Sequence, residues 1–204
     1  MTLNFLVRGI VIGFCIAAPV GPIGLLCIRR SLADGRVIGL ATGLGAATAD
    51  AVYGAIAAFG LTSVSSILVG QRFWLALVGG VFLCYLGIRI FISKAASGDS
   101  PLSKTGMFEA FLSTLLLTLT NPATILSFVA VFTGLGLVAA SNYQAASAMV
   151  FGVFAGSALW WLFLSSAVGF FSSRIDSTWM SAVNRLSGAL IFGFGVYSLA
   201  TLRV

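Results

Sequence analysis

A long apolar segment of this chain has an aspartate at its centre. Almost every residue of Val37–Leu61 is hydrophobic or small, yet Asp50 lies in the middle of it. Similar apolar runs recur along the sequence, and runs of about 20 residues have the length of a helix that crosses a bilayer. The charged fraction is 8% and the mean hydropathy is +1.10, whereas soluble domains carry about 25% charged residues. We therefore expect an integral membrane protein.

The apolar segments predict an all-α membrane protein with about six transmembrane helices. In chain order the predicted spans are Phe5–Leu26, Val37–Leu61, Phe73–Ile92, Met107–Gly134, Ala145–Phe171 and Leu186–Leu202. They form a single membrane domain, residues 1–204. The loop-like stretch 94–106 would connect a first half, residues 1–93, to a second half, residues 107–204. Three spans in each half would give the two halves opposite topology.

Two of the spans contain prolines that predict broken helices. The first span holds Pro19-Val20-Gly21-Pro22 and the fourth holds Asn121-Pro122. Proline removes a backbone donor and clashes with the preceding turn, so each helix should kink or break there. A shift of about 109 residues lays Gly43 over Gly152 and roughly superposes the two breaks. We therefore expect two inverted three-helix repeats, with paired breaks that point to a transport site.

The chemistry of such a site would centre on the aspartate. A carboxylate at mid-membrane costs roughly 2.5–3.5 kcal/mol on insertion scales. No Lys or Arg lies at mid-span in the sequence, so we expect Asp50 to have transient partners, a substrate amine or a proton. Half-helices that begin near Pro22 and Pro122 would offer N–H groups to a carboxylate. Asn121 adds an amide, and Tyr53, one turn after Asp50, could hydrogen-bond beside it.

Together these groups complement a zwitterion with a carboxylate at one end and an amine at the other, as in an amino acid. The predicted substrate site is Pro19, Gly21, Pro22, Asp50, Tyr53, Asn121 and Pro122. Asp50 is also the candidate for proton coupling. The expected partners are a small-molecule substrate, a coupling proton and the lipid bilayer, and the possibility of a homo-oligomer is open.

Residue types that are missing argue against other chemistry. The sequence has no histidine, which removes histidine proton relays, histidine metal sites and a Ser-His-Asp triad. Cys15, Cys27 and Cys84 lie singly in apolar surroundings without C-x-x-C spacing, so we predict no metal, redox centre or cofactor. The net charge of +6 indicates a positive-inside bias rather than a nucleic-acid surface.

The basic residues also predict the orientation of the chain, because Lys and Arg accumulate in short cytoplasmic loops. Eight of them lie in or beside loops 1–2, 3–4 and 5–6, and three lie on the opposite side. The two sets are Arg29, Arg30, Arg36, Arg89, Lys94, Lys104, Arg174 and Arg185 against Arg8, Arg72 and Arg203. We therefore predict that these three loops are cytoplasmic and that both termini are outside.

Simpler interpretations exist for each of these features. Prolines in membrane helices often only kink the helix. A lone asparagine often forms an interhelical hydrogen bond worth about 0.6 kcal/mol. Trp160-Trp161 could either pack or line a cavity. A non-transporting assembly protein packed through glycine faces is the main alternative; it predicts that Asp50 tolerates substitution while Gly39, Gly43 and Gly188 do not. A membrane enzyme or a channel is weaker, because the sequence has no catalytic acid pair, no metal set and no ring of charge.

Four sequence motifs together resemble a known family. They are Ala18-Pro19-Val20-Gly21-Pro22, the basic Arg29-Arg30-Ser31-Leu32, the Gly45-x-x-x-Ala49-Asp50 segment and Asn121-Pro122. This combination is similar to the LysE/RhtB family of amino-acid exporters, over essentially the whole chain. The resemblance implies a small bacterial inner-membrane protein that exports an amino acid, coupled to the proton or the membrane potential. Many members have a lysine after the Asn-Pro pair, where this chain has Ala123.

Overall fold

The computed structural model describes residues 2–19, 21–59, 70–92, 106–121, 124–128, 131, 143–172 and 177–203. Its helices are α1 Thr2–Ala17, α2 Pro22–Ala33, α3 Arg36–Ala58, α4 Arg72–Phe91, α5 Met107–Leu119, α6 Tyr143–Ser172 and α7 Ser177–Ala200, followed by a 3-10 turn at Thr201–Arg203. The predicted all-α membrane class is confirmed. Val20, Pro122 and Ala123 lie outside the described residues.

Several helices are long and apolar enough to cross a membrane. Judged by length and apolarity among the described residues, Arg36–Ala58, Phe73–Phe91 and Tyr143–Phe170 qualify singly, and α1 and α2 qualify as one bent span with an angle of 81°. Large apolar side chains also cover the outer surface; Trp74 and Phe163, for example, are about 60% exposed. An apolar exterior of this kind suits lipid contact.

The first helix break forms where the sequence predicts it. α1 ends at Ala17, and α2 begins with Pro22 at its first position and Gly21 as an extended N-cap. Proline is favoured at this position because it has no N–H to satisfy and its φ angle is already helical. The predicted end at Leu26 is wrong, however, since α2 continues to Ala33.

The second break also lies where it was predicted, in the fourth span. α5 ends at Leu119 with Thr120 as its C-cap. Residues 124–128 are helical again, and the Asn121 carbonyl accepts hydrogen bonds from the N–H groups of Thr124 at 3.1 Å and Ile125 at 3.3 Å. Asn121 therefore opens a new helical turn. The rest of the predicted span, up to Gly134, lies largely outside the described residues.

The predicted start of the sixth span is wrong. α7 begins at Ser177 and not at Leu186. The expected loop contains polar and charged residues, so hydropathy placed the boundary too late. A helix needs only one apolar face, and Asn184 on α7 is 2% exposed because its polar side chain has a partner on α2.

α3 occupies the centre of the bundle, as its small residues predict. Its apolar window is 56% buried, against 33% for the windows of α4 and α6, and it packs against α2, α5 and α6. Glycines allow this close approach. A Cβ on Gly45 would collide with the Phe111 carbonyl oxygen of α5, and one on Gly43 would collide with the side chain of Trp161 on α6.

The helices of the two halves pack in a reciprocal way. α4 and α7 are antiparallel, since Gly80 lies against Gly195 while Gly87 lies against Gly188. α1 packs on α6, and α5 packs on α3, so the first span of each predicted half contacts the second span of the other. Reciprocal contacts of this kind are expected when two repeats are related by a twofold axis. The division into halves at residues 93 and 107 stays a prediction.

Candidate functional site

Asp50 lies on α3 in the interior of the bundle, with only 4% of its surface exposed. The hydroxyl of Ser157 on α6 donates a hydrogen bond of 2.7 Å to Asp50 Oδ2. Among the described residues this hydroxyl is the only hydrogen-bond donor to the carboxylate, and no Lys or Arg pairs with it. A neutral donor therefore stands where a structural ion pair would place a cation.

Ser157 also accepts a hydrogen bond, which extends the polar chain to a tryptophan. Trp161 Nε1 donates to Ser157 Oγ over 3.1 Å, one turn along α6. An indole N–H can only donate, so the direction of the chain runs from Trp161 through Ser157 to Asp50. The Ser157 hydrogen is thereby directed to the carboxylate. Trp161 is buried against Gly43, so this tryptophan both packs and contributes to the polar chain.

Tyr53 lies one turn beyond Asp50 and binds the end of α5. Its hydroxyl donates a hydrogen bond of 2.6 Å to the Leu119 carbonyl, and its ring centre lies 5.7 Å from that of Phe128. In a continuous helix the Leu119 carbonyl would accept from the N–H four residues later. Because α5 ends here, the phenol satisfies this carbonyl and ties α3 to the second break.

Asp50 and Ser157 lie between two hydrophobic clusters. The first cluster comprises Ala17, Ile23, Leu26, Cys27, Ala46, Ala47, Leu83, Ile90, Leu117, Trp161 and Ile191. The second comprises Ile12, Tyr53, Ala58, Ile125, Phe128, Ala146, Met149 and Val153. Along α3, Asp50 falls between Ala47 of the first cluster and Tyr53 of the second. Along α6, Ser157 falls between Val153 of the second cluster and Trp161 of the first. The polar pair therefore marks the level at which the two clusters meet.

Each cluster contains residues from one of the helix breaks. Ala17 and Ile23, which flank the first break, belong to the first cluster. Ile125 and Phe128, which follow the second break, belong to the second cluster. A movement at either break can therefore reach Asp50 through contacts between packed side chains.

The predicted residues at the first break lie in more open surroundings. Pro19 is exposed, whereas Gly21 and Pro22 are half-buried. A Cβ on Gly21 would have no atom within 4 Å, so space exists beside this backbone. Among the described residues no hydrogen bond joins this break to the aspartate; the link between them is the packing of the first cluster. Asn121 is half-buried at the second break, and Pro122 lies outside the described residues.

Ser157 is a contact of Asp50 that the sequence interpretation missed. Asp50 follows Gly45 by five residues, and Ser157 follows Gly152 by five. Both pairs match at a shift of 107 residues, the separation of Asp50 and Ser157, whereas the predicted shift was about 109. Both glycines pack on the backbone of a neighbouring helix. The predicted repeat, with a shift of 107 residues, would give Ser157 the position in the second half that Asp50 has in the first.

Arg30 is a second group that the sequence interpretation missed. It was assigned to a basic loop, yet it lies on α2 and is 5% exposed. A hydropathy profile gives two arginines after an apolar run the same values whether their side chains face water or the protein interior. Arg30 donates a hydrogen bond to Thr42, which precedes Asp50 by eight residues on α3, or about 12 Å along the helix axis. Arg30 is therefore buried but is too far away to be the ion partner of Asp50.

Comparison with known proteins identifies the family. A family profile described as LysE type translocator matches residues 14–201. The chain belongs to the LysE type translocator family. The match includes both helix breaks, Asp50 and Ser157, and it confirms the resemblance found in the sequence. This LysE family member is a multi-pass membrane transporter and not an enzyme.

Two relatives of this LysE family member show how far the similarity extends. "Putative amino acid efflux protein YcgF" of Bacillus subtilis strain 168 is 26% identical over 200 residues, which cover 96% of this chain and 95% of that protein. "Uncharacterized membrane protein YahN" of Escherichia coli strain K12 is 30% identical over 177 residues, covering 84% of this chain and 77% of that protein. No solved structure gives a significant match.

Proposed function

We propose that this LysE family translocator exports an amino acid, or a related small zwitterion or cation, across the bacterial inner membrane, coupled to the proton or the membrane potential. Asp50 would bind the substrate amine or the coupling proton. The broken-helix cradle around it would comprise Pro19, Gly21, Pro22, Tyr53, Asn121 and Pro122. The name of the Bacillus subtilis relative, "Putative amino acid efflux protein YcgF", supports this substrate class.

The observation that carries the proposal is the state of Asp50. Its carboxylate is buried between two clusters, each of which contains one helix break, and Ser157 is its one described hydrogen-bond partner. A buried charge without a cation is costly. An ammonium group or a proton removes this cost, so a buried carboxylate whose described hydrogen-bond donor is neutral favours such a partner.

Amine and proton exclude each other at a single carboxylate. Arrival of a protonated amine displaces the proton, and arrival of a proton releases the amine. If the two arrive from opposite sides of the membrane, transport becomes an exchange of substrate for proton. The packed routes from both breaks to Asp50 would let each half of the bundle respond to which of the two is bound.

We also propose that loops 1–2, 3–4 and 5–6 face the cytoplasm and that both termini lie outside. With buried Arg30 removed from the count, seven basic residues on that side still face three on the other. The proximity of these residues at one end of the bundle supports the assignment: the charges of Arg29 and Arg89 interact, and Arg36 packs on Gly169 near the end of α6.

The test is amino-acid profiling of the medium of cells with and without the protein. We expect at least one amino acid to accumulate outside cells that carry the wild type, and the Asp50→Asn variant to abolish this accumulation. Asp99→Asn is the matched control, because Asp99 lies in the loop-like stretch 94–106 of the sequence, outside the predicted spans, and its loss should leave efflux unchanged.

Two results would contradict the proposal. Unimpaired efflux from a normally expressed Asp50→Asn variant would remove the role assigned to Asp50. The assembly-protein alternative gains instead if no metabolite accumulates and if substitutions at Gly39, Gly43 and Gly188 alone cause a defect.

A further inference from the structure

Arg30 is held in the interior of the bundle entirely by neutral oxygens. Its Nη1 group donates to Thr42 Oγ1 at 3.2 Å, to the Ala110 carbonyl at 3.2 Å and to Thr114 Oγ1 at 3.1 Å. Its Nη2 group donates to Ser113 Oγ at 3.1 Å. The guanidinium therefore links α2 to α3 and α5 without a carboxylate in its hydrogen-bonded shell among the described residues.

The three hydroxyl partners are oriented as acceptors. Thr42 donates its own hydrogen to the Ile38 carbonyl at 2.9 Å, and Thr114 donates to the Ala110 carbonyl at 2.8 Å. Ser113 donates to the Glu109 carbonyl at 2.6 Å. Each hydroxyl is thus satisfied within its own helix and presents lone pairs to the cation.

The two edges of the guanidinium are used unequally. Three of the four hydrogen bonds go to Nη1, which anchors the side chain, and Nη2 has only the half-buried Ser113. The Nε–H of Arg30 has no acceptor in the described part of the chain. Nε and Nη2 form the fork that arginine uses to bind a carboxylate through two parallel hydrogen bonds. The carboxylate-binding edge of Arg30 therefore carries a single, replaceable hydroxyl.

Arg30 and Asp50 carry opposite charges, and Thr42, which binds Arg30, precedes Asp50 by about 12 Å along the axis of α3. The charges of Asp34 and Glu109 attract Arg30, but in the described structure neither carboxylate is hydrogen-bonded to it. Buried Thr118 lies one turn beyond Thr114 on α5, with its hydroxyl bonded to the Thr114 carbonyl at 2.8 Å. The α-amine and the α-carboxylate of one amino acid are too close together to contact both charged groups at once. For these two substrate groups, Arg30 and Asp50 would be successive positions and not one site.

We propose that Arg30 is a binding site for the carboxylate of the transported substrate, entered before the amine reaches Asp50. The Nε/Nη2 fork would bind the carboxylate, which displaces the Ser113 hydroxyl, while Nη1 stays anchored. This inference rests on the proposed export of an amino acid. It adds a requirement for a free carboxylate that Asp50 alone would not impose.

The test uses purified full-length protein in vesicles of phosphatidylethanolamine and phosphatidylglycerol. The vesicles are loaded with an equimolar mixture of the twenty protein amino acids, and mass spectrometry identifies the one released above protein-free vesicles. The same release is then measured for the primary carboxamide of that amino acid, at about pH 6, where an α-amino group of this type stays protonated. The carboxamide keeps the amine and the size of the substrate but lacks the carboxylate charge.

We expect the wild type to prefer the amino acid over its carboxamide, and Arg30→Gln to lower this preference roughly tenfold, since it removes a charge-assisted hydrogen bond. Arg185→Gln is the control, because Arg185 is exposed on α7, and it should keep the preference. Arg30→Lys retains the charge without the fork and should give an intermediate ratio; it decides the question if Arg30→Gln fails to insert.

An unchanged preference, or an equal fall in the release of both compounds, would overturn the proposal, because a residue that only holds helices together cannot distinguish acid from amide. If the wild type releases no amino acid at all, the proposed function itself fails. If release depends on Asp50 but the preference ignores Arg30, only the present inference fails.

Discussion

At the scale of single residues, the hydrogen bond between Ser157 and Asp50 sets the state of the buried carboxylate. It is the one described donor to Asp50, and Trp161 directs the serine hydrogen toward the carboxylate. A hydrogen bond to a charged group contributes about 1.5–3 kcal/mol. The position of the carboxylate therefore depends on α6 as much as on α3.

Ser157→Ala should lower the rate of substrate release about tenfold, because it removes this donor. The measurement is release from vesicles that contain equal amounts of protein. Ser165→Ala is the matched control: Ser165 is also fully buried on α6, but its hydroxyl bonds only the Leu162 carbonyl of its own helix. Equal rates for both variants would show that the Asp50 contact has no role in transport.

Tyr53→Phe should destabilise the protein by about 1–3 kcal/mol, because the half-buried Leu119 carbonyl at the end of α5 would lose its donor. The measurement is the thermal unfolding midpoint in detergent. Tyr85→Phe is the control, since Tyr85 is 52% exposed and its hydroxyl has a weak contact of 3.4 Å with Arg89. The assignment is contradicted if the two variants unfold at the same temperature.

At the scale of helices, the contact between α4 and α7 depends on the absence of side chains. A Cβ on Gly188 would lie 2.5 Å from the backbone nitrogen of Phe91, whereas one on Gly193 would have no atom within 4 Å. The two glycines lie on the same helix but differ in what they face. Backbone atoms cannot move aside as a flexible side chain can. A methyl group on Gly188 would therefore push α4 and α7 apart.

Gly188→Ala should therefore lower stability by about 1–3 kcal/mol through overpacking. Gly193→Ala should be neutral or stabilising by up to about 1 kcal/mol, because alanine favours the helix. Thermal unfolding of the two variants in detergent makes the comparison. A larger loss for Gly193→Ala would contradict this account of the α4–α7 contact.

The sequence predicts helices well where apolar runs are long and where a residue that starts or stops a helix marks their ends. α3, α4 and α6 begin within two residues of their predicted starts, and Pro22 marks the start of α2 because proline fits only the first turn of a helix. The errors are at the end of α2 and the start of α7. There the helices extend beyond the apolar run and contain the buried polar residues Arg30 and Asn184. A hydropathy profile cannot show that a polar side chain is buried with a hydrogen-bond partner.

At the scale of the whole molecule, the site depends on contacts between residues more than 100 positions apart. Asp50 could be singled out from the sequence because it alone interrupts a long apolar run. Its contact with Ser157 could not be found in the same way, because serine is unremarkable in a membrane helix. Only an alignment of the two predicted halves could pair Ser157 with Asp50. The predicted shift of about 109 residues differs by two from the shift of 107 that pairs them.

The orientation of the molecule can be tested with cysteines introduced at two exposed glycines. Gly70, which precedes α4, and Gly106, which precedes α5, both have open surroundings. In a background in which Cys15, Cys27 and Cys84 are replaced by alanine, Gly70→Cys should react with a membrane-impermeant maleimide in intact cells. Gly106→Cys should react only after permeabilisation, which also serves as the control for access. The reverse pattern would contradict the proposed orientation.

In the proposed function, Asp50 is the group at which substrate amine and proton exchange. The most direct measurement is the release of the exported amino acid from vesicles under an imposed pH gradient, with wild type and Asp50→Asn reconstituted at equal density. We predict that release by the wild type responds to the gradient and that Asp50→Asn releases no more than protein-free vesicles. Release by Asp50→Asn at the wild-type rate, with the same response to the gradient, would contradict the claim.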